Sequence, residues 1–187
     1  MPIIGRFGSL AGLGSLILPG GAMESIATVT VGSGGAASIT FSDIPGAFQH
    51  LQIRMISRNT SADGTDVRMT LNGDTGANYA WHQLYGPGSG NAGASGSSSQ
   101  ARMVLSQSAS TASTFGAHIF DILDYASTSK ATTVRCLGGW DANGSGYILL
   151  RSGLWTSTNA VSTVALTLAA GSFTQHTTAA LYGLRAP

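Results

Sequence analysis

From Ser25 to Leu184 the chain is cut roughly every 8–15 residues by clusters of Gly, Ser, Asn, Asp and Pro, and between the cuts apolar and polar residues alternate. Successive side chains on a strand point to opposite faces, so a period of two buries one face. No segment holds a 3.6-residue period over three turns, which argues against long helices. Ser25 to Val31, the Gly32-Ser33-Gly34-Gly35 turn and Ala37 to Phe41 read as a hairpin, ended by Asp43-Ile44-Pro45-Gly46 because Pro brings no amide donor to a central ladder. His50 to Met55 directs Leu51, Ile53 and Met55 inward and Gln52 and Arg54 outward, and Asp66 to Leu71 repeats the pattern with Val67, Met69 and Leu71. Further strands fall at 100–106, 116–125, 132–140, 147–155, 160–168 and 178–184. The Gly/Ser-rich stretch 86–100 reads as a long flexible loop, and Asn78 to Leu84 is the one candidate helix, a short one. The expected fold is all-β: an antiparallel two-sheet sandwich, jelly-roll-like, with about ten strands over residues 23–187.

Residues 1–22 (MPIIGRFGSLAGLGSLILPGGA) follow a different rule. Their apolar stretch, Leu10 to Leu18, is broken by Gly12 and Gly14 and falls far short of the ~20 residues needed to cross a bilayer, so membrane insertion is not expected. The positive charge is weak and no clean A-x-A site follows, which argues against a secretory signal. The segment reads as an extended docking arm. Ile3, Ile4, Phe7, Leu10, Leu13, Leu16, Ile17 and Leu18 would lie on another protein, because free in water such a glycine-loosened stretch cannot offset its own ordering entropy.

Charge narrows the partners. Charged residues make up 9% of the chain, against about 25% in ordinary soluble domains. There is one lysine, Lys130, and one glutamate, Glu24. A surface of Ser, Thr, Ala, Asn and Gly sheds water readily, and edge strands with almost no Lys are an aggregation hazard for a monomer. The expectation is a chain that works against other subunits, as a homo-oligomer closed by symmetry, or against a neutral ligand. Net charge is +1, and Arg54, Arg58, Arg68, Arg135 and Arg151 are scattered singly, so the clustered basic footprint of a nucleic-acid binder is missing. The lone cysteine, Cys136, lies in the stretch Val134-Arg135-Cys136-Leu137 and reads as a small buried hydrophobe.

Reactive constellations are weak. His118, Asp121 and Asp124 sit three apart on a strand, which alternates their faces and prevents convergence on a metal. The turn Asp141 to Gly146 imitates the start of a calcium loop and Asn72 to Asn78 is also oxygen-rich, but neither is followed by the bidentate Glu that completes such a loop. No G-x-S-x-G elbow and no phosphate-cradling loop occur, and Glu24 leaves no Glu–Glu pair for acid–base work. Neither an enzyme nor a cofactor is expected. The aromatics Tyr79, Trp81, Tyr85, Trp140, Tyr147 and Trp155 lie beside turns or at strand ends, where a ring either plugs the sandwich or meets a neighbour. Trp81, Tyr85, Trp140 and Tyr147 are the candidates for stacking on the C–H face of a glycan or receptor.

Four segments carry a resemblance. Ile39 to Arg54 (ITFSDIPGAFQHLQIR), Leu71 to Gly86 (LNGDTGANYAWHQLYG), His118 to Lys130 (HIFDILDYASTSK) and Ser152 to Ala160 (SGLWTSTNA) resemble, in the same order, stretches that recur in small β-rich virion structural proteins of tailed bacteriophages, of the tail-fibre or minor-tail type. The resemblance covers about residues 26–184 and omits the arm. It implies a β-rich virion component, often trimeric or otherwise symmetric, leaves its position on the particle open, and supplies no catalytic set. The resulting expectation is a peripheral tail-fibre or spike subunit, docked on other virion proteins through residues 1–22, that attaches to the host surface. The alternative is a capsid decoration, head-fibre or collar protein with a purely structural role.

Overall fold

The computed structural model of this chain describes residues 22–62, 64–88, 90, 92–98, 100–106 (backbone alone from 102), 112–142 and 144–185. Among these residues no helix occurs, and twelve strands follow one another: β1 (Met23–Thr30), β2 (Ser38–Phe41), β3 (His50–Ser57), β4 (Thr65–Leu71), β5 (Tyr79–Gly86), β6 (Ala92–Ser98), β7 (Ala101–Ser106), β8 (Gly116–Leu123), β9 (Thr132–Asp141), β10 (Gly146–Trp155), β11 (Val164–Leu168) and β12 (Thr178–Leu184). They pair antiparallel in an eight-stranded sheet, β1-β12-β3-β8-β9-β10-β5-β6, and a four-stranded sheet, β2-β11-β4-β7.

Set aside the hairpins β5–β6 and β9–β10, and the rest is β1-β12-β3-β8 facing β2-β11-β4-β7. That is the strand order of a jelly roll. The two hairpins extend one sheet sideways beyond β8 and form a wing that the basic jelly roll lacks.

The inward phase matches the alternation. Leu51, Ile53, Met55, Val67, Met69 and Leu71 are buried, and they meet Phe120, Ile122, Val164, Leu166, Phe173 and Leu181 in one core. At roughly 1.5–3 kcal/mol for each fully buried aliphatic side chain, this interior is the main force holding the sheets together.

Three readings need correction. Ser25 to Val31 and Ala37 to Phe41 do not form a hairpin: the glycine-rich turn carries the chain from one sheet to the other, so β1 pairs with β12 and β2 with β11. Asn78 to Leu84 is not helical. Tyr79 and Trp81 point into the interior while Ala80 and His82 point away, and the segment pairs in register with β10 from Trp155↔Tyr79 to Ile148↔Gly86. Nor is 86–100 merely a loop, because Ala92–Ser98 pairs with β5 as an edge strand. Pairing uses main-chain groups only, and small side chains are what this place requires: a Cβ on Gly96 would stand 3.0 Å from Trp81 Cζ2. These two strands raise the expected ten to twelve.

The docking residues Ile3, Ile4, Phe7, Leu10, Leu13, Leu16, Ile17 and Leu18 lie outside the described residues.

Candidate functional site

Strand register assembles the outer face of the eight-stranded sheet. Leu84 in β5 lies opposite Leu150 in β10, Leu150 opposite Leu137 in β9, and Leu137 opposite Ile119 in β8. Two residues nearer the β9–β10 turn, Ile148 lies opposite Gly139, Gly139 opposite Ala117, and Ala117 opposite Ile56 in β3. These side chains occupy the phase opposite to the core, and Ile148, Leu84 and Ile56 are 62%, 55% and 52% exposed. The next row in the other direction, Ser152, Arg135, Asp121 and Gln52, is polar. It is also internally satisfied: Arg135 Nη2 donates to Asp121 Oδ2 at 3.2 Å and Gln52 Nε2 to Asp121 Oδ1 at 2.9 Å. An apolar band rimmed by polar residues marks an interaction surface, because covering it removes apolar area from water.

At Ala117, Gly138 and Gly139 the band sinks into a groove of about 910 Å³, walled by Ile56, Ile119, Leu137 and Ile148. Small residues make the depression, and at one of them backbone contact forbids anything larger. A Cβ on Gly139 would stand 2.3 Å from the carbonyl oxygen of Tyr147.

Three of the four aromatic candidates meet at this end of the sheet. Trp140 lies opposite Tyr147 with ring centroids 5.6 Å apart, and Tyr147 is 6.3 Å from Tyr85. All three are half-buried, and Trp140 and Tyr147 also border the groove. The indole nitrogen of Trp140 is buried with no hydrogen-bond partner among the described residues. Trp81 does not join them. It is buried deeper in the wing, with the Arg151 guanidinium 5.5 Å from its ring centre. Tyr79 and Trp155 stack at 6.4 Å with an interplanar angle of 16°, plugging the sandwich interior.

The polar clusters turn inward on themselves. Asp74 accepts hydrogen bonds from Trp155 Nε1 at 2.6 Å, from Asn78 Nδ2 at 2.9 Å and from the Gly76 amide at 2.8 Å. These donors, Trp155 foremost, hold its carboxyl below the usual range, and they use the oxygens a cation would need. His118 and Asp121 point to opposite faces of β8 as alternation requires, and Asp124 lies beyond the strand. His118 is buried against Ser57, Oγ to Nε2 at 2.9 Å, while Asp121 belongs to the outer polar row and Asp124, in the following turn, meets Lys130. Burial pushes the His118 imidazole down to about 3, so it stays neutral, and Ser57 beside it is fully buried. Among the described residues no group of three His, Cys, Asp or Glu could hold a metal ion. Cys136 is buried as its apolar context suggested, and burial raises its thiol to about 12.

The outer-face residues Ile56, Leu84, Ile119, Leu137, Ile148 and Leu150 were not singled out from the sequence. The available signal was a break in alternation: Ile148-Leu149-Leu150 is apolar in both phases, so one phase had to face something other than the core.

Together these features define a jelly-roll domain with a lateral wing and one apolar outer face. No family model matches the chain, and no curated protein matches it.

Proposed function

We propose that this chain is a structural subunit of a bacteriophage particle, assembled through the outer face of its eight-stranded sheet. The observation that carries the reading is the in-register row Leu84, Leu150, Leu137 and Ile119, which leaves apolar side chains facing solvent across four neighbouring strands. A chain with 9% charged residues, one Lys and such a face is suited to being covered by protein. The ordered resemblance over about residues 26–184 supplies the particle, and the jelly roll is an architecture used by viral capsid and lectin domains. Fold alone does not assign function, so the weight rests on the face.

In this reading the copies form a closed homo-oligomer, a trimer by preference, on the particle exterior. The arm, residues 1–22, docks on other virion proteins. Tyr85, Trp140 and Tyr147 sit at the hairpin end, where a tail-fibre subunit would meet a host glycan. The second reading, a decoration or collar protein, is favoured by the mainly apolar lining of the groove, where Ile56, Ile119, Leu137 and Ile148 outweigh the polar groups of Arg54, Asp141 and Thr178.

Sedimentation of the full chain and mass spectrometry of purified particles test the proposal. A concentration-dependent oligomer and recovery from particles are expected. A chain that stays monomeric at micromolar concentration and is absent from particles overturns it. Loss of glycan or cell binding in Trp140→Ala would select the attachment role, and capsid stabilisation without cell binding the decoration role.

A further inference from the structure

We infer that in the free subunit the apolar groove on the outer face is covered by the chain's own N-terminal segment, residues 3–13. The inference rests on reading that face as a contact surface and adds its occupant before assembly.

Three observations carry it. The first is supply: every copy that presents the band also brings Ile3, Ile4, Phe7, Leu10 and Leu13, in a segment whose one charged side chain is Arg6. The second is connection. The segment enters the fold at Met23, the first residue of β1, and β1 is the edge strand of the sheet that bears the groove. From β1 to β8 is three strand spacings, about 14 Å, and the length of β1 adds about 25 Å along the strands. The diagonal, under ~30 Å, is spanned by about nine extended residues. Residues 14–22 suffice, which leaves 3–13 to lie in the groove. The third is concentration: a short tether holds its end at an effective concentration near millimolar. At dilutions where the copies stand apart, the tethered segment therefore occupies the surface without competition from a second copy. The floor of Ala117, Gly138 and Gly139 leaves room for side chains such as Phe7 and Leu10.

The consequence is a strap that shields the face until a neighbour in the assembly displaces it. The test is thiol labelling of Ile148→Cys, which sits in the groove wall, in the full chain with its native leader and with Ile4, Phe7, Leu10 and Leu13 all changed to Ser. Buried Cys136 contributes little background, and Ser152→Cys on the polar row is the control. Cover in place nine-tenths of the time slows labelling roughly tenfold. The expected result is that slowing at Ile148→Cys with the native leader alone, independent of dilution, with Ser152→Cys unchanged. Equal rates with both leaders overturn the strap. Protection that disappears on dilution also overturns it, assigning the cover to a second copy and leaving the assembly reading intact. Full labelling at every concentration, with a monomer in sedimentation, overturns both.

Discussion

Arg151 in β10 and Asp66 in β4 join the two sheets through the interior, Nη1 to Oδ1 at 3.1 Å with both side chains at least nine-tenths buried. Asp66 stands beside a bulge in the β4–β7 pairing, between Val67 and Arg68, and bulges re-aim neighbouring side chains. The same guanidinium lies over Trp81 and bonds Gln83 Oε1, so one side chain ties the wing to the jelly roll.

Removing one partner of this pair strands a buried charge, which costs about 3–5 kcal/mol. Asp66→Leu and Arg151→Met are each expected to destabilise by that order. Replacing both together with Leu and Met is expected to recover much of the loss, because the desolvation penalty goes with the charges. Urea denaturation of the four chains as a double-mutant cycle measures this; additive losses would show that the pair is not coupled.

His118 makes stability depend on acid in a particular window. Its folded value is lowered from 6.5 to about 3 by burial. Between those values the unfolded chain binds a proton that the folded chain refuses, so stability rises with pH across the window and falls as pH drops below 6.5. The slope reaches about 1.4 kcal/mol per pH unit at most. Asp74 and Asp124 are also lowered, by Trp155 and Lys130 respectively, so the stability they contribute is lost only as pH falls below 3.8. Urea melts between pH 6.5 and 4.5 keep clear of both carboxylates. The slope is expected in the native chain and absent in His118→Gln, whose amide can still meet Ser57; an equal slope in both would remove His118 as the cause.

The inward phase of β3 and β4 was legible because their large apolar side chains fall at every second residue. β5 was not, since Tyr79, Trp81 and Tyr85 on one face and Leu84 on the other give no clean alternation. β6 was invisible to hydrophobicity because Ala92–Ser98 pairs through its main chain and offers little to bury. The outer band was illegible for another reason. Leu84 and Leu137 are far apart in sequence and share a row only through Leu150, and that depends on register. Arg151 and Asp66 are separated by 85 residues, so no local pattern announces the pair.

Gly139 and Gly183 separate two kinds of crowding. A Cβ on Gly139 meets the Tyr147 carbonyl oxygen at 2.3 Å, and backbone in a paired hairpin cannot step aside. A Cβ on Gly183 would also come within 2.3 Å of a neighbour, but that neighbour is the Phe48 side chain. Overpacking costs about 1–3 kcal/mol where the surroundings resist. Gly139→Ala is therefore expected to destabilise more than Gly183→Ala and to distort the groove floor. Thermal melts of both chains rank them, and the reverse order would mean that the β9–β10 hairpin yields more easily than the ring.

The outer band makes stability and association separable. Leu84, Leu137 and Leu150 are about half exposed, so they contribute little to the fold, and surface substitutions of this kind stay within about 0.5 kcal/mol. Leu51 in the same sheet is fully buried, and Leu→Ala at such a site costs about 2–5 kcal/mol. Changing the three outer leucines to Thr keeps a strand-forming β-branched side chain and adds a hydroxyl that holds water. The triple variant is expected to keep its urea midpoint and lose self-association in sedimentation, while Leu51→Ala loses its midpoint. If the triple variant unfolds as readily as Leu51→Ala, the band is part of the fold's own packing; if it associates as before, the contact lies elsewhere on the molecule.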